Sequence, residues 1–456
     1  VVKFYSNRSF PEKRSAANHI LLWKTDSIEE GSGRKKRSRR RKKNSAERKD
    51  VKKVYVVTHT VAVPSPRLSW RKFNTLKELV EKYRELVVHL VDYGFKHGVT
   101  GQISLRKALY EELRRRHPDL PSHYVYTAAQ DAAARVKSFM ALKREGKAKT
   151  EKPEIRRISI WLDDHLWIRE GFTAVRVSTH RGWVTIPLWP TRQFWRHINE
   201  GWRLKTQPRL KLDEKRRIAY VYFVFEKVVE EKPAKGVVSV DLNENNVAVK
   251  AGGRVYILET GIRDITLGYN SRREVMQSLK GNRYVSRALK KNELNKKNDI
   301  RRKVANFVVR EAERLGAAIA VENLPREVPK NMIKNVDDPK LRDRIYKAGF
   351  RSMLREIIQK AREHGIPVIK VDPRGTSSTC PRCGGRLVRG PAPRLLLCPH
   401  CGWEGGRDVA AVINIERRAL EEGRVPPGPM PNDPTPEVSW IPMTAWARRK
   451  SLGAIA

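Results

Sequence analysis

The chain has 456 residues, long for a single domain, and is 39% hydrophobic and 8% aromatic, enough to build true cores. Its 95 Lys and Arg against 50 Asp and Glu leave a net charge of +45, a field suited to a polyanion such as nucleic acid and of no use to an enzyme of small neutral metabolites. No run approaches the roughly 20 apolar residues of a membrane span, Val1 to Phe10 lacks the charged-then-apolar pattern of an export signal, and four cysteines confined to 380–401 exclude a disulfide scaffold.

The expectation is an intracellular, nucleic-acid-associated protein, cytoplasmic near the nucleoid in a prokaryote or nuclear in a eukaryote. Residues 1–50 stand apart. Arg34 to Lys43 holds nine basic residues in ten behind Gly31-Ser32-Gly33, a block expected to stay disordered until it meets an anion. A solvated tail or an over-extended reading frame weighs at least equally with a nucleic-acid arm or nuclear signal.

From Val54 to Val63 the β-branched pattern predicts a strand. Residues 75–147 read helical, with Leu76, Leu79, Val80, Tyr83, Leu86, Val87 and Leu90 on one face and further helices at about 103–116 and 122–145. A strand-rich stretch covers about 154–229, where six of the eleven Trp fall between Trp161 and Trp202 and are expected in the core. The simplest layout is a β-barrel interrupted by a helical insertion, with Val229 to Lys235 as linker.

The second half predicts strands at Val237 to Leu242, Val247 onward and Val255 to Thr260, then a basic helix from Leu279 to Lys303 that continues to Leu315. Gly316 stops it, AAIAVEN follows as a strand, Leu341 to His364 forms another helix, and Ile366 to Val371 another strand. That order predicts an α/β unit, a mixed sheet covered by helices.

Three acids sit where this layout concentrates them: Asp241 ending the first strand, Glu322 ending AAIAVEN, and Asp408 opening the helix GRDVAAVINIERR. Carboxylates after apolar runs are costly to bury without a cation. Oxygen ligands suit Mg²⁺ or Mn²⁺, and two such ions about 3.5–4 Å apart activate water for phosphodiester hydrolysis. Taken singly, a strand-end turn, an ion pair with Arg326 and a helix cap explain the same three acids. Together they form the pattern of an RNase H-like nuclease core.

Cys380-Pro-Arg-Cys383 and Cys398-Pro-His-Cys401 are two C-x-x-C pairs, 14 residues apart, each followed by Gly (Gly384, Gly402). Four thiolates at this spacing predict a closed, structural Zn²⁺ site, with His400 outside it. Cys401, the last of the four, lies seven residues before Asp408.

At VSVDLNENN, AIAVENL, VDPRGTSSTCPRCG, CPHCGW and GRDVAAVINI the chain resembles TnpB, the transposon-encoded RNA-guided DNA endonuclease family related to type V CRISPR effectors. The resemblance is clearest over 236–420. It implies RuvC-type catalytic acids at Asp241, Glu322 and Asp408 holding Mg²⁺ or Mn²⁺, and zinc on Cys380, Cys383, Cys398 and Cys401. The implied organisation is a basic extension (1–50), a wedge-like β-barrel (51–74 and 148–232), a helical recognition insertion (75–147), a RuvC-like nuclease domain (236–375 and 406–422), a zinc ribbon (376–405) and a Pro-rich tail (423–456). Ser239 and Asn243 stand where the family commonly has Gly, and Gly406, Ala410 and Ser378 also depart from its motifs.

The implied partners are a guide RNA and target double-stranded DNA. Lys290, Lys291, Lys296 and Lys297 are candidate backbone contacts, with a solvated charged helix as the equal alternative. A cleavage-inactive RNA-guided DNA-binding regulator and a zinc-ribbon RNA-binding protein are the rival functions. A transposase that itself joins DNA ends is disfavoured.

Overall fold

A computed structural model describes residues 53–205, 207–280, 283–324, 333–334, 336–421 and 436–444. The basic extension 1–50, the Pro-punctuated stretch 325–332 and most of the tail 423–456 lie outside the described residues. Among those described, no helix is long and apolar enough to cross a membrane.

The first half runs β1 (Val54–Pro64), α1 (Trp70–Lys96), α2 (Gln102–Arg116), α3 (His123–Arg144), β2 (Ile160–Trp161), β3 (Trp167–Glu170), β4 (Ala174–Thr179), β5 (Gly182–Pro187), α4 (Arg192–Asn199), β6 (Arg203–Leu204), β7 (Arg209–Asp213) and β8 (Ile218–Glu230). β1 pairs antiparallel with β8 along its whole length, from Val54 opposite Glu230 to Pro64 opposite Tyr220. β7 and β2 extend that sheet and β6 adds to β8, while β3, β4 and β5 make a separate meander. The three helices are inserted between β1 and β2. α1 starts at Trp70, ahead of the expected 75, because the Ser69 hydroxyl caps it by accepting from the Lys72 amide. Its anticipated face is buried as predicted, apart from Val80, which is half-buried.

The tryptophan expectation fails for half of the six. Trp183, Trp189 and Trp195 are exposed, whereas Trp202 is buried. Only Ile186 of β5 is buried, and on α4 Phe194 turns inward, which sends the adjacent Trp195 out.

The second half runs β9 (Val237–Leu242), β10 (Asn246–Ala251), β11 (Arg254–Glu259), α5 (Ile262–Lys280), α6 (Arg283–Leu315), β12 (Ala318–Glu322), α7 (Pro339–Ala348), α8 (Phe350–Glu363), β13 (Val368–Val371), β14 (Val388–Arg389), β15 (Leu395–Leu397), β16 (Glu404–Gly406), α9 (Arg407–Glu421) and β17 (Glu437–Pro442). Six strands form one mixed sheet in the order β13-β12-β9-β10-β11-β17. β12 lies parallel to both β9 and β13, while β9, β10 and β11 are antiparallel.

Alternating side chains sort this sheet's two faces. Val238, Val240, Ile319 and Val321 pack with Val304 and Val308 of α6 and Met353 and Ile357 of α8. Val237, Ala318 and Ala320 pack with Ile415 and Ala419 of α9 on the opposite face. Burial on both faces explains why these strands read as unbroken apolar runs.

One expectation is corrected here. Leu341 to His364 is not one helix. Asp338 and Pro339 start α7, and Gly349 adopts a left-handed φ of 71° that ends it and begins α8. Within the Pro-rich tail, Glu437–Pro442 forms strand β17, paired parallel with β11.

Candidate metal centres

The acidic cluster follows from strand parity. Asp241 shares the face of Val237 and Ser239, and Glu322 shares that of Ala318 and Ala320, so both turn toward α9. Ser239 fixes this face by donating its hydroxyl to the Val412 carbonyl of α9 at 2.7 Å. Val321 pairs with Val240, which places Glu322 one step further on, beside Asp241. Asp408, the second residue of α9, brings the third carboxylate to the positive end of the helix.

Each acid has an orienting partner. Asn243 Nδ2 donates to Asp241 Oδ2 at 2.9 Å, Thr376 Oγ1 to Glu322 Oε1 at 2.7 Å, and Asn246 Nδ2 to Asp408 Oδ2 at 3.3 Å. Arg394, from the turn between β14 and β15, donates to Asp408 Oδ1 at 2.6 Å and to Asn243 Oδ1 at 3.4 Å. Burial and the charges of Glu322 and Asp408 push the Asp241 carboxyl up to about 7, against the Asn243 hydrogen bond. Burial also raises Glu322, opposed by the Thr376 hydroxyl and Arg418.

Crowded carboxyls held above their usual range are stabilised by a cation between them. The donor set fits a hard divalent ion, being all oxygen, and the buried Asn246 Oδ1 has no hydrogen-bond partner among the described residues. Among the described residues, oxygens of the three carboxylates do not all lie within 4.8 Å of one another.

The four cysteine Sγ atoms do converge. All lie within 4.8 Å of one another, with Cys380–Cys401 at 3.6 Å and Cys383–Cys398 at 3.4 Å. Tetrahedral zinc with Zn–S near 2.3 Å sets sulfurs ~3.8 Å apart, so the cluster is compatible with zinc and leaves no position for water. Gly384 and Gly402, at φ 75° and 69°, turn their amides back to the Cys380 and Cys398 carbonyls at 3.0 Å. The ribbon strand β16 runs directly into α9, and Asn414 of α9 donates to the Thr376 and Thr379 carbonyls at 2.8 Å. The thiolate site therefore sets the position of both Asp408 and Thr376.

The lysine expectation divides. Lys290, Lys291 and Lys296 are exposed. Lys297 is buried and is not a surface contact: its Nζ donates to Glu293 Oε1 at 2.6 Å and to the Lys347 carbonyl at 3.3 Å, and Arg273 also pairs with Glu293. Position i,i+4 from Glu293, on the helix face that carries Ile300 and Val304, turns it inward. A basic groove of about 820 Å³ lies between β1 and α8, lined by Arg351, Arg355, Arg362 and Lys370 among others. Sequence reasoning missed Thr376, Asn246 and Arg394 as site residues. Thr376 and Asn246 lie inside the quoted motifs, but Arg394 sits in the patternless spacer between the cysteine pairs.

Residues 350–415 match the family described as Cas12f1-like, TNB domain, and residues 79–178 match the Uncharacterized protein MJ0013 family. Among curated proteins, the chain is 32% identical over 237 residues to the uncharacterized protein MJ0857 of Methanocaldococcus jannaschii, covering 48% of this chain and 86% of that one. It is 28% identical over 213 residues to the TnpB-like protein MJ0751 of the same organism, covering 44% and 74%. A solved Cas12f1–sgRNA–target DNA complex aligns with 76% of this chain and 82% of that one at a TM-score of 0.51 and 12% identity, a likeness of fold.

Proposed function

We propose that this chain, which belongs to the TnpB family and is akin to the Cas12 effectors, is an RNA-guided DNA endonuclease that cleaves target DNA beside a short motif. On this reading the six-stranded sheet is a RuvC-like RNase H core, the ribbon its zinc-bearing insert, the first half's sheets a wedge-like barrel, and α1–α3 the recognition insertion. The guide RNA supplies sequence specificity by base pairing. The exposed lysines of α6 and the β1–α8 groove offer charge to nucleic acid backbones. This reading places the protein wherever its host's DNA lies.

The observation that carries the proposal is the placement of Asp241, Glu322 and Asp408 on one face, with Asp241 held up to about 7. These carboxylates would hold Mg²⁺ or Mn²⁺, which when bound supplies Lewis-acid activation of water and stabilisation of the leaving oxygen. Asn243, Asn246 and Thr376 hold the carboxylates in orientation through their hydrogen bonds. Zinc on the four cysteines is structural and keeps the start of α9 in register with β9 and β12.

Guided DNA binding without cutting is the second reading, favoured by the Arg394 guanidinium already paired with Asp408. The test is to purify the chain with its RNA, sequence that RNA, and challenge the complex with a matching plasmid in Mg²⁺. Cutting that depends on both the match and Mg²⁺ supports the proposal. Guided binding without cutting selects the second reading, and RNA of random sequence with no guided recognition overturns both.

A further inference from the structure

Outside both centres, the first half brings together two imidazoles and a carboxylate. His123 opens α3, while Asp163 and His165 lie in the turn from β2 to β3. One donor atom from each lies within 4.8 Å of the others. His123 Nδ1 is 2.8 Å from Asp163 Oδ2, and Asp163 Oδ1 accepts from the His165 amide at 3.1 Å, which fixes the carboxylate. The two imidazoles stack with centroids 3.8 Å apart, and His123 stacks in turn on Tyr126. His165 Nδ1 pairs with Asp164 Oδ1 at 3.1 Å, and neither imidazole Nε2 has a hydrogen-bond partner among the described residues. A cavity of about 240 Å³ adjoins them, with Gln130 and Gln207 in its wall.

We propose that His123, Asp163 and His165 form a binding site for a divalent first-row transition metal that ties the helical insertion to the strands beneath it. Two imidazoles with one carboxylate suit Ni²⁺, Cu²⁺, Co²⁺ or Zn²⁺ far better than Mg²⁺, so the site is chemically distinct from the all-oxygen acidic cluster. It differs from the cysteine site as well, because three protein ligands leave coordination positions for water.

His123 Nδ1 and Asp163 Oδ2 sit 2.8 Å apart, a hydrogen-bond distance. Ligands ~2.1 Å from an ion lie ~3.0 Å apart at a right angle and ~3.4 Å apart in a tetrahedron, so a small outward shift of the pair admits either geometry. His165 has most of its side chain exposed, and its ring must turn out of the stack with His123 and away from Asp164 to serve as the third ligand. The ion replaces the proton shared between His123 and Asp163. It links the first turn of α3 to the β2–β3 turn, two segments 40 residues apart in sequence.

The experiment uses the full chain with any affinity tag removed, its cysteine site loaded with zinc, and Mg²⁺ in excess to saturate the acidic cluster. Ni²⁺ is the probe, titrated by calorimetry. The expected result is one further equivalent, with affinity lowered at least tenfold in both His165→Ala and Asp163→Asn. Thermal melting of each metal-free variant checks that it is folded, and Ni²⁺ is expected to raise the wild-type melting temperature but not that of His165→Ala. Absence of an extra equivalent in the wild type, or full retention of it in His165→Ala, overturns the proposal and leaves the cluster as a stacked hydrogen-bonded pair.

Discussion

Replacing Asp241 by Asn tests the acidic cluster without requiring any nucleic acid. The change keeps shape and removes the ionisable group. In the folded chain the Asp241 carboxyl sits at about 7 rather than its usual 3.8, through burial and the charges of Glu322 and Asp408. A carboxyl raised on folding stabilises the protein while protonated, and that contribution is lost as pH climbs from the unfolded value through the folded one. Over the whole interval the loss amounts to about 4 kcal/mol, of which roughly 2–3 falls between about pH 5 and about pH 8.

Wild type is therefore expected to lose that much stability relative to Asp241→Asn across the interval, in buffer freed of divalent ions by resin. A chelator would strip the cysteine site as well. Urea unfolding at the two pH values measures the difference, and millimolar Mg²⁺ is expected to restore wild type but not the variant. A pH-independent gap between the two proteins, or equal stabilisation of both by Mg²⁺, would refute the crowded-carboxylate reasoning.

Arg394→Ala removes a cation from Asp408. Because the Arg394 side chain is more than half exposed, the pair is worth only about 0.5–1 kcal/mol, so the Mg²⁺ concentration for half-maximal cutting is expected to fall ~2–5-fold. Removing zinc, or substituting Cys383→Ser, is expected to abolish cutting while circular dichroism reports retained helix and RNA binding persists, because the first half has its own core. Metal analysis should find one zinc per chain in wild type. Replacing Lys290, Lys291 and Lys296 together by Ala is expected to flatten the salt dependence of RNA binding by ~2–3 in log–log slope. Lys297→Ala should leave that slope unchanged but cost about 1–2 kcal/mol of stability, since Glu293 loses one of its two cationic partners and keeps Arg273.

The parts legible in the sequence are those that local periodicity encodes. Val237 to Val240 and Ala318 to Val321 announce strands because both faces are buried, and the acids ending them stand out against apolar runs. Cysteine spacing marks the ribbon for the same local reason. What escaped depends on contacts between distant segments. Arg394 reaches Asp408 through the folding of the ribbon, and β17 joins β11 from far along the chain. Trp183, Trp189 and Trp195 looked like core by type, yet their faces point outward. Lys297 was readable in principle, since Glu293 precedes it by four residues on a helix that also buries Ile300 and Val304.

The central claim, that Asp241, Glu322 and Asp408 cut guided DNA, is tested most directly by changing each to Ala and measuring binding and cleavage on the same guide-matched plasmid. The account predicts that all three variants bind guide and target as wild type does and that none cuts in Mg²⁺. Cutting retained by Asp241→Ala, or a wild type that binds its matched target and never cuts, would contradict it.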